Sequence, residues 1–213
     1  MKKVGILGGT FNPIHYGHLH LAQKALETAQ LDQILFIPSG VSYMKKQSEI
    51  LPAQIRMEMV RLAISERSKF AVSAIEIEKT GNSYSHETIR ELQEQDPETE
   101  FYFLTGADTL FSIENWKDPV SIFKSVTILA AYRSGVSLEE LKKKVFYLEE
   151  TYGARIRLAA VDHVDISSSE IREAIRTGKS IHGLVPEPVE QYIRRNHLYQ
   201  HNIASAGKGT ERS

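Results

Sequence analysis

Three features of the sequence predict an α/β fold with a parallel sheet covered by helices on both faces. Short apolar runs of strand length recur along the chain. Segments with apolar residues at helical spacing lie between them. The first run stops at a glycine pair, Gly8-Gly9, which closes a buried strand.

Val4 to Leu7 is that first strand, apolar throughout and short. Leu19, Ala22, Leu26 and Ala29 then recur on one helical face, predicting a helix over 19–29. Ile34 to Ile37 is a second strand, closed by Pro38-Ser39-Gly40. Pro52 suits the first turn of a helix, and Ile55, Met59, Leu62 and Ala63 give that helix a face, to Ile64. Phe70 to Ile77 alternates and then shifts phase at Ile75, which reads as a strand with a bulge. Ser85 to Gln95 is a helix by the spacing of Thr88, Ile89 and Leu92. Phe101 to Leu104, Val126 to Ala131 and Ile156 to Val161 read as strands. Leu138 to Glu150, Ser168 to Arg176 and Pro188 to Arg195 read as helices. No internal repeat and no long linker interrupts the series. Residues 1–199 therefore form one domain with a small helical part at its C-terminal end. Residues 200–213 become small, polar and Gly-containing from Ala204 and read as a flexible tail.

Bulk properties exclude several classes. A length of 213 residues with 41% apolar content supports a full core without staples. The formal net charge of -1 removes a broad basic field for nucleic acid, though not a local basic pocket. No cysteine is present, so disulfides, thiolate catalysis and Cys-based zinc sites are all absent. Lys2 and Lys3 precede an apolar run that is too short for an export signal. No stretch reaches the roughly 20 apolar residues that span a bilayer. The expectation is a soluble, cytoplasmic protein with no membrane or nucleic-acid partner. The sequence leaves a homo-oligomer open.

The segment GGTFNPIHYGH, Gly8 to His18, joins the first strand to the first helix. In a parallel sheet, ligands collect at the carboxyl ends of strands, where helix N-termini present amide hydrogens. Gly8, Gly9 and Gly17 let backbone approach a phosphate closely because no Cβ intervenes. His15 and His18 flank the helix start and can face one ligand. Their ring N–H groups can donate to phosphate oxygens and to charge growing on a leaving pyrophosphate. The segment is neither a G-x-G-x-x-G dinucleotide fingerprint nor a P-loop. A plain tight turn with capping histidines is the simpler alternative. A zinc site from His15, His18 and His20 is another, but no carboxylate or Cys nearby completes the ligand set.

A second segment, ISSSEIR from Ile166 to Arg172, opens a late helix. Unpaired amides and the hydroxyls of Ser167, Ser168 and Ser169 make an anion site, and Arg172 lies one turn in. Alone, a serine run is usually only a cap. Paired with the first segment, it suggests two phosphate-facing helix N-termini in one chain.

These two segments resemble the HxGH nucleotidyltransferases. The resemblance implies a Rossmann-like, doubly wound sheet of the nucleotidyltransferase type, with both segments clamping a nucleotide triphosphate. Over Lys3 to about Tyr199 the chain is similar to the bacterial nicotinate mononucleotide adenylyltransferase family. Asn12 stands where that family has Asp, and Ser42-Tyr43-Met44 where it often has Pro-Pro-His. Pro38, Lys45 and Arg56 match family positions. GNSYSHETI, from Gly81, resembles G-x-S-Y-T-x-x-T, with Ser85 for Thr. FLTGAD, Phe103 to Asp108, and the single Trp116 match as well.

The resemblance implies that His15, His18, Lys45 and Arg172 carry the chemistry. It assigns ATP to Gly8, Gly9, Thr10, Phe11, Gly106, Asp108, Ile166 and Ser167–Ser169. It assigns the acceptor, nicotinate mononucleotide, to Asn12, Tyr84, Ser85, Trp116 and Lys117. A flat indole suits a pyridine ring, and backbone amides around Tyr84, Ser85 and Lys117 suit its carboxylate. Mg2+ is expected to arrive with ATP, with no protein cage. Tyr84 as a packing residue and Asp108 as a helix N-cap stay open. So do phosphopantetheine as the acceptor, cytidylyl transfer, and a nucleotide-binding module without turnover.

Overall fold

The computed structural model describes residues 1–40, 50–79, 81–132, 137–161 and 164–200. Lys45 and the expected tail beyond Gln200 lie outside the described residues.

The order of elements is β1 (Lys2–Gly9), α1 (Tyr16–Thr28), β2 (Gln33–Pro38), α2 (Ala53–Ile64), β3 (Phe70–Val72), α3 (Ser85–Gln95) and β4 (Thr99–Gly106). Two short 3-10 turns, Ala107–Phe111 and Ile113–Asn115, lead to α4 (Pro119–Ser125). Then come β5 (Thr127–Tyr132), α5 (Leu138–Tyr152), β6 (Arg155–Ala160), α6 (Ser168–Arg176) and α7 (Glu187–Arg195).

The six strands form one parallel sheet in the order β3-β2-β1-β4-β5-β6. Strand order reverses between β1 and β4. A crevice opens at the carboxyl ends of such a neighbouring pair, because the two connections leave in opposite directions. Alternation along β1 divides its side chains between the faces. Val4 and Ile6 join Ile37, Ile89, Leu92 and Phe103 on one side, while Leu7 joins Phe36, Leu19, Met59 and Val60 on the other. A further cluster under α5 unites Leu110, Phe123, Ile128, Leu141 and Leu148. At Gly5 a Cβ would lie 2.7 Å from Ile34 Cδ1 and 2.9 Å from Leu104 Cδ1, so only glycine lets these strands' neighbours close over β1. Helix α7 packs on α2 and places Val189 and Ile193 in the core beside it.

The structure corrects the expected strand over Phe70 to Ile77. Only Phe70–Val72 pairs with β2, and Ser73 N–H adds one bond to Phe36 O at 2.9 Å. Ala74 O then accepts from Ile77 and Glu78 N–H, so the chain turns. The phase shift at Ile75 marks the exit from an edge strand, not a bulge, because Ile75 buries against Ile37 and Ile89 instead of continuing the pleat. Helix α4 was not anticipated. Its signal was present: Asp118 caps Ser121 N–H at 3.2 Å and Pro119 opens the helix. Asp108 is not an N-cap either; Gly106 holds that position and Asp108 sits in the first turn.

Candidate active site

The loop after β1 is shaped by what it buries. Phe11 adopts φ +48 and is 1% exposed, with its ring 5.9 Å from Phe36 and edge-on to His18 at 5.0 Å. A Cβ on Gly9 would meet that ring at 3.0 Å, whereas one on Gly8 would meet nothing within 4 Å. Gly8 therefore leaves open space beside the backbone, and Phe11 has only its main chain to offer a ligand. Asn12 is buried as well. Its Oδ1 accepts from Tyr199 O–H at 2.9 Å and Leu51 N–H at 3.3 Å.

His15 caps α1 with extended backbone, and its N–H donates to His18 Nδ1 at 3.3 Å. The two ring centroids lie 3.8 Å apart, with the planes tilted by 33°. This bond sets the neutral tautomer of His18: Nδ1 accepts, so Nε2 carries the proton and can donate outward. Burial lowers the His15 pKa to about 4, against a smaller raising effect of Glu170. His15 is consequently neutral near pH 7. A Cβ on Gly17 would press on His15 Cε1 and Nδ1 at 3.0 Å and on Ile166 O at 3.5 Å. Glycine there is a packing requirement between the two segments.

The second segment is stapled to the first. Ser168 Oγ donates to Pro13 O at 2.9 Å, and Arg172 Nη1 donates to Asn12 O at 3.0 Å. Arg172 Nη2 also donates to Ser169 Oγ at 3.4 Å. Ser167 forms a capping box: its N–H and Oγ–H both donate to Glu170 Oε2, at 3.0 and 2.7 Å, while its Oγ accepts from Glu170 N–H at 3.2 Å. Residues about 150 positions apart in sequence thus form one rim.

Arg56 ties the floor together. It is 2% exposed and donates to Leu51 O at 2.9 Å, Thr10 O at 2.7 Å and Ser39 O at 2.6 Å. One guanidinium therefore fixes the loops that follow β1 and β2. Burial lowers its pKa, with Tyr199 and Glu76 opposing that shift.

A cleft of about 450 Å³ runs from this floor across the ends of β1 and β4. Of the residues expected at the site, it is lined by Gly8, Gly9, Thr10, Tyr84, Ser85, Trp116 and Lys117. Phe11, Asn12, His15, His18, Gly106, Asp108, Ile166–Ser169 and Arg172 are not among its lining residues. Gly106 and Asp108 are exposed at the end of β4. Trp116 is half-buried, edge-on to Phe103 at 6.0 Å. Tyr84 occupies the N-cap position of α3.

Sequence reasoning missed Ser39, Glu76, Ser83, Thr88, Thr105 and Thr109 in this lining. Glu76 Oε1 accepts from Thr88 Oγ1 at 2.9 Å, and burial raises its pKa. No motif marks Glu76, since it belongs to the segment expected as a strand. Glu114, also missed, pairs with Lys144 and accepts from Tyr152 O–H at 3.0 Å, tying the loop before Trp116 to α5. Its pKa is lowered chiefly by the Lys144 hydrogen bond. Among the described residues no group of three or more His, Cys, Asp or Glu is arranged to hold a metal ion, and no helix is long and apolar enough to cross a membrane.

Residues 6–174, which include both rim segments, match the cytidylyltransferase-like family. The chain belongs to that family and is a nucleotidyltransferase. Among its relatives, a protein of Lachnoclostridium phytofermentans named probable nicotinate-nucleotide adenylyltransferase is 41% identical over 93% of this chain and 100% of its own length. One of Clostridium botulinum with the same name is 40% identical over 94% of this chain and 99% of its own. Within the wider family, then, this nucleotidyltransferase groups with the nicotinate-nucleotide adenylyltransferases. Its fold is shared with the Plasmodium falciparum nicotinic acid mononucleotide adenylyltransferase complexed with NaAD, at a TM-score of 0.76 and 20% identity, covering 93% of this chain and 98% of that one.

Proposed function

We propose that residues 1–199 act as one domain that transfers the adenylyl group of ATP to nicotinate mononucleotide, giving deamido-NAD and pyrophosphate in NAD biosynthesis. One observation carries this reading. The stapled rim of the two motif segments adjoins a cleft that extends from Gly8–Thr10 to Tyr84, Ser85 and Trp116. A triphosphate at the rim and a pyridine ring at the far end span such a cleft.

The acceptor's 5′-phosphate oxygen attacks the α-phosphorus of ATP in line. The bond to the bridging α,β-oxygen breaks, and its electron pair leaves with pyrophosphate. That phosphate is already ionised near neutral pH, so no general base is assigned. Catalysis is positioning plus charge stabilisation. His18 donates from Nε2 to the leaving phosphates. Arg172 adds a fixed positive charge. His15, neutral, holds His18 in place through its amide and orients the triphosphate together with Lys45 and the backbone of Gly8–Phe11. Ile166 and Ser167–Ser169 complete the grip at the start of α6. Gly106 and Asp108 bind the adenosine side. Asn12 shapes the loop beside the acceptor. Trp116 stacks on the pyridine, while the amides of Tyr84, Ser85 and Lys117 receive its carboxylate. Magnesium enters with ATP, held by phosphate oxygens and water, and neutralises charge on the triphosphate.

The test is pyrophosphate release from ATP and magnesium with three separate acceptors: nicotinate mononucleotide, nicotinamide mononucleotide and phosphopantetheine. Release with the nicotinate compound, in excess over the other two, is the expected result. Preference for phosphopantetheine overturns the acceptor, and no release with any of them leaves a binding module.

A further inference from the structure

The start of α6 already holds an anion, and that anion belongs to the chain. The Glu170 carboxylate takes both the N–H and the Oγ–H of Ser167, the first donors that α6 presents. A helix N-terminus favours negative charge through its unpaired amides and aligned dipoles, and a carboxylate satisfies it much as a phosphate oxygen does. This carboxylate is also close enough to act on the opposite rim, since it is the charge that opposes the lowering of the His15 pKa. On that rim His15 Nδ1 is buried without a hydrogen-bond partner among the described residues, and a Cβ on Gly17 would come within 3.0 Å of it and 3.5 Å of Ile166 O. The rim therefore combines donors suited to phosphate with one negative charge that repels it.

We infer that Glu170 is an affinity-setting residue of the triphosphate clamp, competing with phosphate for the α6 donors and weakening the hold on both triphosphate and pyrophosphate. The inference rests on the proposed reading of Ile166–Arg172 as half of that clamp. Its consequence is kinetic. A clamp made only of His18, Arg172 and helix amides would retain pyrophosphate, a compact and multiply charged anion. A carboxylate that returns to Ser167 as the phosphate departs lowers that cost. Glu170 does not touch the reacting atoms in this scheme; it acts by charge and by occupying donors.

The experiment is equilibrium binding, by titration calorimetry on the full chain, of the α,β-methylene analogue of ATP with magnesium and, separately, of magnesium pyrophosphate. Three proteins are compared: wild type, Glu170→Gln and Glu173→Gln. Glutamine keeps an acceptor for Ser167 N–H, so the capping box survives while the charge goes. Glu173 lies on the same helix, paired with Arg176 at 3.1 Å, and controls for a general change of charge. Glu170→Gln is expected to tighten both ligands about two- to fivefold at low salt, the effect of one charge at a helix N-terminus, with the gain shrinking as salt rises. Glu173→Gln should match wild type. Damage to α6 alone would weaken binding, the opposite direction. Unchanged or weaker binding by Glu170→Gln, with wild type binding both probes, overturns this inference alone. Failure of wild type to bind either probe overturns the clamp reading and this inference with it.

Discussion

The Tyr199 hydroxyl donates to Asn12 Oδ1 at 2.9 Å, joining the last described turn of the chain to the loop after its first strand. Tyr199 adopts φ +65 and is buried, and burial pushes its phenol pKa up, so it remains a donor throughout the working pH range. The loop proposed to grip phosphate is therefore held by a residue 187 positions away.

Replacing Tyr199 by Phe removes that donor and leaves Leu51 N–H as the remaining described donor to Asn12 Oδ1. The expected cost is about 1 kcal/mol of stability, read from urea unfolding midpoints. A rise in KM for ATP should accompany it, because the same loop loses its anchor. Unaltered stability in Tyr199→Phe would show that the bond is dispensable.

Arg56→Met should be far more harmful. It strands the carbonyls of Leu51, Thr10 and Ser39, each of which now accepts from one guanidinium. A loss of roughly 3 kcal/mol or more is expected from breaking this buried, charge-assisted set. Arg56→Lys should recover little of it, since an ammonium cannot reproduce the planar fork. Equal stability of wild type and Arg56→Met in chemical denaturation would contradict the anchoring role.

His18→Ala should lower kcat by about a hundredfold or more, the usual effect of deleting one donor to developing charge, and leave the fold intact. Steady-state pyrophosphate release and circular dichroism together check this. Near-normal turnover would remove His18 from the mechanism.

The depressed pKa of His15 has a signed consequence for stability. The folded value of about 4 lies below the ordinary 6.5, so between these values the unfolded chain binds a proton that the folded chain does not. Stability from this residue is thus fully present above about pH 6.5 and declines as pH falls toward about 4. The shift corresponds to about 3 kcal/mol across that window. His15→Gln should flatten the acid side of the stability–pH curve measured by urea unfolding at pH 7.5 and 5. A curve of identical slope in the variant would count against it.

Trp116 is the chain's single tryptophan, so its fluorescence reports one place. Nicotinate mononucleotide should quench it, and the ATP analogue should do so much less. Trp116→Phe should raise KM for the acceptor several-fold and leave KM for ATP nearly unchanged, because stacking on an aromatic side chain is worth about 0.5–1.5 kcal/mol beyond its area. Equal effects on both KM values would move Trp116 out of the acceptor site.

Local chemistry made much of this molecule legible from sequence. Short apolar runs and helical spacing are imposed by burial on two faces of a parallel sheet, so five of the six strands were found near their observed positions. The glycines and histidines of Gly8–His18 and the serines of Ile166–Arg172 pointed to phosphate only as a pair, since a serine run at a helix start is by itself usually a cap. The exit of the chain at Ile75 was misread, since a shift of phase looks the same for a bulge and for departure from an edge strand. Tertiary structure decided what each side chain is spent on. Asn12, Ser168 and Arg172 are engaged with other protein groups, and those bonds link distant segments that sequence spacing does not relate. Arg56 matched a family position without a stated role, and Glu76 and Glu114 carry no motif, because their roles come from carbonyls, hydroxyls and amines that only folding brings within hydrogen-bonding distance. Even the charge of His15 belongs to this second category: the residue is readable at position 15, but its neutral state follows from burial under the opposite rim.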